Sequence, residues 1–190
     1  IKTNLIDKIW SNRIKPKFNK FFVLNTLHTG QDYKNKINLV CNILKKINLK
    51  NLLITAPENV AWVLNIRGRD NSFSPIPNCN AIVNYRKKIT LIVNSNKISK
   101  NFKSRFGKNF KYINPSNIIK YLDSLDGKEN FLIDKITCSH FYKDEIAKKF
   151  KYVEKVDPIF FLKSIKNNVE INNTIKSHIS DGIALTKFIF

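Results

Sequence analysis

A chain of 190 residues with 43% hydrophobic content, 14 Phe and 2 Trp can fill the core of one ordinary domain, which excludes wholesale disorder. The formal charge of +20 is almost all lysine, scattered along the chain beside heavy use of Asn and Ile, so it marks no specific nucleic-acid partner. Cys41, Cys79 and Cys138 lie far apart with no CxxC pair, so neither a disulfide framework nor a zinc site is supported and a reducing cytoplasm is the default. No apolar run approaches the ~20 residues that span a bilayer.

In chain order, residues 1–31 read as an irregular connector that packs aromatics. From Asp32 to Ile47, the apolar residues Ile37, Val40, Cys41, Leu44 and Ile47 recur at helical spacing. NLLIT (51–55) is a short buried strand. TAPE then predicts a helix start, with Thr55 and Glu58 forming a capping box and Pro57 in the first turn. That helix carries Val60, Ala61, Val63 and Leu64. NAIVNY (80–85) and KITLIVN (88–94) predict two strands joined by a turn near Arg86 and Lys87.

FKYIN (110–114) is a further strand, and Asn114-Pro115 caps a helix through Ile118, Ile119, Leu122 and Leu125. ENFLID (129–134) is a strand, 139–150 a helix through Phe141, Ile146 and Phe150, and KYVEKV (151–156) a last strand. Strands alternating with helices predict an α/β layer with a mixed sheet. Past a boundary at Val156-Asp157-Pro158 the chain reads as one long helix. Asn167 and Glu170 are its capping pair, and Ile171, Ile175, Ile179 and Ile183 its apolar stripe. The missing methionine and the uncapped ALTKFIF end predict a piece cut at both ends, whose bare stripe would make it poorly soluble.

Chemistry-bearing patterns are few. His28, His140 and His178 stand outside any HExxH or paired-carboxylate motif, and no glycine-rich phosphate loop is present. For His178 with Asp181 on one helix face, a surface hydrogen bond is the expected role rather than a metal site. Cys41, on an apolar face, reads as core rather than nucleophile. The stretch AWVLNIRGRDNSFSPIP (61–77) is different, because it holds two of the five arginines. Arg67 could aim a guanidinium at a substrate carboxylate or a partner domain. Equally, an Arg–Asp pair with Asp70 could pin a tight loop, with Gly68 supplying an unusual backbone angle.

ENVAWVLNIRGRDNSFSPIPNCNAIV resembles the central block of long, three-domain Xaa-Pro aminopeptidases. NLIDKIWSNRIKP (4–16) is similar to that family's connector after its first domain, and HTGQDYKNKI (28–37) to the opening of its middle domain. VDPIFFLKSIKNNVEINNTIKSHISDGIALTKF resembles its lead-in to the catalytic domain. The blocks stand in the family's order over essentially the whole chain. The resemblance implies a creatinase/prolidase N-terminal-type α/β domain, a mixed sheet flanked by helices with a ribonuclease-H-like motif. The first helix of a pita-bread metallopeptidase domain would follow it.

The implied layout is a connector at 1–31, a middle domain at 32–157 and the start of the catalytic domain at 158–190. The implied parent is a cytoplasmic, homodimeric enzyme that removes the N-terminal residue from peptides with proline in second position. Its two divalent metal ions, usually manganese, would be held by Asp, His and Glu ligands downstream of Phe190. The chain's own part would then be non-catalytic, contacting its flanking domains and binding no metal, nucleic acid or membrane. Arg67, Asp70 and Lys163 are the cleft-facing or loop-clamp candidates. Arg69 departs from the family pattern, which has serine there. A non-catalytic relative acting as a binding module is the alternative that the resemblance leaves open.

Overall fold

The computed structural model describes residues 5–10, 12 and 19–190; the remainder of the connector-like block at 1–18 lies outside the described residues. The described part of the opening run is more regular than expected. It holds α1 (Leu5–Ile9), the two-residue strand β1 (Phe22–Val23) and α2 (Thr26–Thr29). Asn25 starts α2 by accepting a hydrogen bond from the Leu27 amide, and Gly30 closes it in the left-handed region at φ 66°.

Asp32 caps α3 (Tyr33–Lys46), whose buried stripe is Ile37, Val40, Cys41 and Leu44. Ile47 falls beyond the last turn and stays exposed. β2 (Asn51–Ile54) is buried throughout and leads into α4 (Pro57–Leu64). The expected capping box does not form. Ala56 is the N-cap, and the Thr55 hydroxyl instead lies 2.8 Å from the Thr137 hydroxyl. At a buried strand end that polar partner competes with the helix amide. β3 (Ile66–Arg67) pairs antiparallel with β1, setting Phe22 opposite Arg67.

β4 (Asn80–Asn84) and β5 (Ile89–Ile92) form the expected hairpin, turning at Lys87 with φ 64°. The helix α5 (Lys100–Phe106) was not expected. Ser99 caps it by accepting from the Phe102 amide, and Phe102 and Phe106 bury its inner face. β6 (Phe110–Ile113) follows, then a 3₁₀ turn capped by Asn114 that runs into α6 (Ile118–Asp123). Ile118 and Leu122 face inward there, whereas Ile119 faces out. β7 (Asn130–Asp134), α7 (His140–Ala147, capped by Ser139) and β8 (Lys151–Lys155) complete the layer, with Phe141 exposed.

The single terminal helix is instead two, α8 (Pro158–Ser164) and α9 (Asn168–Ile189). Ile165 is extended between them, and the Asn167–Glu170 capping box starts α9 afresh. The stripe Ile171, Ile175, Ile179 and Ile183 is solvent-facing, 44 to 59% exposed.

The sheet runs β6-β5-β4-β2-β7-β8, with β4 antiparallel to both neighbours and the other pairs parallel. Alternation along the strands feeds two cores, which is why every residue of β2 and β5 is buried. Leu52, Ile54, Val83 and Leu91 face α3, α4 and α5, while Leu53, Ile82 and Phe131 face α6 and α7. Among the described residues, no helix is long and apolar enough to cross a membrane.

Candidate functional site at the junction of domain and terminal helices

The loop after β3 is held at its base by several independent contacts. The Gly68 amide donates to the Pro75 carbonyl at 2.9 Å, and Asp70 accepts from the Asn78 amide at 2.6 Å. The Asp70 carboxylate pairs with Lys97 at 2.8 Å, both side chains less than a tenth exposed. The ion pair expected between Arg67 and Asp70 is therefore not made; Lys97, far along the chain, takes that place. Gly68 does not take a left-handed angle either. Its glycine is required by contact, because a Cβ there would lie 2.7 Å from the Pro77 Cα. Gly68→Ala is expected to lower the unfolding free energy by about 1–3 kcal/mol in urea melts, since backbone must yield. A loss below ~0.5 kcal/mol would contradict that contact.

Arg69 is exposed, with its guanidinium 5.9 Å from the Phe22 ring centre and its carbonyl accepting from Asn19. An arginine at this position thus needs no acidic partner. It stacks instead.

Arg67 turns the other way. Its Nη1 donates to the carbonyls of Ala61 at 3.1 Å and Ile66 at 2.9 Å, closing the last turn of α4. Behind it lies a charged cluster not anticipated from the sequence. Lys36, on the inner face of α3 and 1% exposed, donates to the Trp62 carbonyl at 3.1 Å and to the Asn65 side chain at 2.8 Å. Its ammonium also sits 4.2 Å over the Trp62 ring. Asn65 can present that oxygen because it ends α4 in the left-handed region, at φ 54°, a conformation asparagine tolerates.

Burial pulls Lys36 down to about 8, and the Glu170 carboxylate works against that fall. Arg67 is lowered by the same burial, again opposed by Glu170. Glu170 accepts from the Trp62 indole at 3.3 Å and from the Asn167 amide at 3.0 Å. One carboxylate on α9 thus faces two cations of the domain. Arg67 itself has no carboxylate at ion-pair distance among the described residues.

Lys163 occupies a second junction. It donates to Asn59 at 2.7 Å, Asn59 donates to Asp157 at 2.8 Å, and the Asp157 amide donates to Asp134 at 2.9 Å. Asp134 in turn accepts from the Thr137 amide and hydroxyl, and Thr137 meets Thr55. The chain crosses the carboxyl ends of β2 and β7 and ties α8 to both. Ile159 is fully buried in the core beside it, so α8 is docked on the domain.

Burial raises the Asp157 carboxyl to about 6; Asp134 adds to the rise, while donation from the Ile159 amide and Asn59 opposes it. The unfolded chain releases this proton near the ordinary 3.8. The stabilisation it gives is therefore complete below that value and is lost as pH rises through about 6. Asp157→Asn is expected to flatten the stability difference between pH 4 and 7 by up to about 3 kcal/mol relative to the unmodified chain. Parallel urea-midpoint curves for the two proteins would refute the assignment.

The histidines do not assemble into a site. His178 and Asp181 lie exposed on α9 without the expected mutual hydrogen bond, and His140 faces Asp144 at 3.4 Å on the α7 surface. No group of three or more His, Cys, Asp or Glu among the described residues could hold a metal ion. Cys41 is buried and donates weakly to the Asn84 carbonyl, and burial raises its thiol. That is a core cysteine. The structure thus brings Arg67 together with Lys36 and Glu170, leaves Asp70 in the loop clamp, and sets Lys163 in a separate polar chain.

Known proteins resemble the chain in sequence and in fold. Xaa-Pro aminopeptidase ApepP of Drosophila melanogaster is 32% identical over 195 residues, covering 99% of this chain and 31% of that protein. Xaa-Pro aminopeptidase 1 of Dictyostelium discoideum is 29% identical over 194 residues, covering 98% and 30% respectively. The chain therefore spans about three-tenths of the length of these relatives. Among solved structures, the X-prolyl aminopeptidase of Caenorhabditis elegans, described as a cytosolic enzyme with a di-nuclear active site, superposes with a TM-score of 0.90. That match covers all of this chain and 32% of the other at 22% identity, and it shows the fold. A family model described as the creatinase/prolidase N-terminal domain matches residues 12–170, and the chain belongs to that family.

Proposed function

We propose that the chain is the middle domain, with the leading helices of the catalytic domain, of a metal-dependent Xaa-Pro aminopeptidase. The enzyme would remove the N-terminal residue from peptides whose second residue is proline, in the cytoplasm and as a homodimer. The observation that carries this reading is the match to the Drosophila aminopeptidase across 99% of the chain. The domain division at about residue 157 belongs to the same reading, with Asp157 and Lys163 as the hinge contacts. The described residues offer no ligand set for two divalent ions, manganese or other. No chemical step is therefore assigned to them.

Their part is positioning. The Arg67 guanidinium is fixed by two carbonyls through one nitrogen, which leaves its other donors for a carboxylate on a peptide or a neighbouring domain. Lys163 holds α8 through Asn59 rather than acting on substrate. The test is to express the complete coding sequence that contains this chain and assay Xaa-Pro and Xaa-Ala peptides with and without added manganese. Metal-dependent release from Xaa-Pro peptides alone supports the reading. A complete protein without an Asp/Asp/His/Glu/Glu ligand set, inactive on every peptide, would replace it with a binding module on the same fold.

A further inference from the structure

Between α3, the β4–β5 turn and the α5–β6 loop lies a cavity of about 430 Å³. Small-molecule sites occupy ~300–1,000 Å³. None of its lining residues belongs to the Arg67 or Lys163 clusters. Its floor is apolar, with Ile37, Phe106 and Phe110 all buried. The wall is aromatic: Tyr33 meets Phe106 edge-on at 5.0 Å, and Phe106 meets Phe110 at 4.4 Å. Gly107, in the left-handed region at φ 68°, has open space where a side chain would stand.

The lining also carries charge. Lys34, Lys87 and Lys108 are exposed, and none has a carboxylate at ion-pair distance among the described residues. Asn38 shares the wall, and its side-chain oxygen is buried without a hydrogen-bond partner. Folded proteins rarely leave such an atom unmet. An apolar pocket alone would take a neutral molecule, and lysines alone would take any small anion. The two together select a molecule that has both parts.

We propose that this cavity binds a small organic anion bearing a flat ring, the ring against the Tyr33–Phe106–Phe110 wall and the acid group among Lys34, Lys87 and Lys108. An aromatic carboxylate and a nucleoside monophosphate share that chemistry. The complete 190-residue chain, labelled with nitrogen-15, is titrated with indole-3-acetate, AMP, the neutral molecules tryptophol and adenosine, and inorganic phosphate. At least one ringed anion shifts the amides of residues 34–38 and 106–110 with a sub-millimolar Kd, about tenfold or more tighter than its neutral counterpart and than phosphate. Which anion does so distinguishes carboxylate from nucleotide.

The double variant Lys87→Glu/Lys108→Glu weakens binding about tenfold or more, while Lys120→Glu, remote in sequence and outside the lining, does not. Ile37→Phe, which fills the floor and keeps every lysine, also abolishes binding. Phosphate binding as tightly as the ringed anions overturns the proposal, as do shifts spread over the lysine-rich surface or no binding at about 5 mM. Peptidase activity has no bearing on any of these outcomes.

Discussion

Lys36→Ala is expected to destabilise the domain by about 3–5 kcal/mol, read as a lower urea midpoint with an unchanged slope. The reasoning starts from how completely this lysine is enclosed. At 1% exposure its ammonium has exchanged water for the Trp62 carbonyl, the Asn65 side chain and the Trp62 ring. Truncation leaves those acceptors unmet, opens a cavity under α3, and removes one of the two cations that face Glu170. Lys36→Met separates these effects. It fills most of the space and avoids burying a charge, so it should recover at least half of the loss. Because burial pulls the ammonium down to about 8, the unmodified chain should also gain stability as pH rises from about 8 toward 10.5, and neither variant should share that gain. An alanine variant as stable as one made at a surface lysine would remove Lys36 from the junction.

Gly30→Ala should cost about 2–4 kcal/mol, although Gly30 lies in an exposed turn. Two penalties combine. The left-handed φ of 66° strains an alanine, and its Cβ would fall 2.2 Å from the Asn167 Oδ1. That oxygen accepts the amides of Val169 and Glu170 and so begins α9. Displacing it undoes the cap, and with it the Glu170 side chain that reaches back to the Asn167 amide. Hydrogen exchange should therefore quicken at Val169 and Glu170, distant along the chain from the substituted residue. Asn167→Ala alone should lose ~1 kcal/mol, and the double variant less than the sum, since both act on one cap. Unchanged exchange at those two amides would show the turn and the helix start to be independent.

These two residues mark where reading the sequence stopped. Strands and long helices were legible because apolar spacing reports which face is buried, and Asn114 and the Asn167–Glu170 box announced themselves by residue type. Thr55 misled, since its hydroxyl could serve a helix amide or another threonine and only the sheet brings Thr137 beside it. The helix at 100–106 was hidden by lysines around Phe102 and Phe106, although Ser99 followed three residues later by Phe102 was a usable signal. In the loop, Asp70 was recognised as a clamp but its partner was not, because Lys97 is 27 positions away in a segment with no pattern of its own. Lys36 looked like one more surface lysine. Its place on the same helical face as Val40 and Leu44 was the available clue, and the lysine-rich composition masked it.

The ties between α2 and α9 bear on the order in which the molecule is made. Asn167 donates to the Thr29 carbonyl across 138 positions, and Asn173 to that of His28. During synthesis, the turn at Gly30 leaves the ribosome more than a hundred residues before its partners on α9 do. Such long-range closure is slow, because chain entropy is lost before any contact repays it. The opening turn should thus be a late acquisition of the fold, and pulse-labelled exchange during refolding should protect Gly30, whose amide bonds locally to Thr26, only as α9 docks.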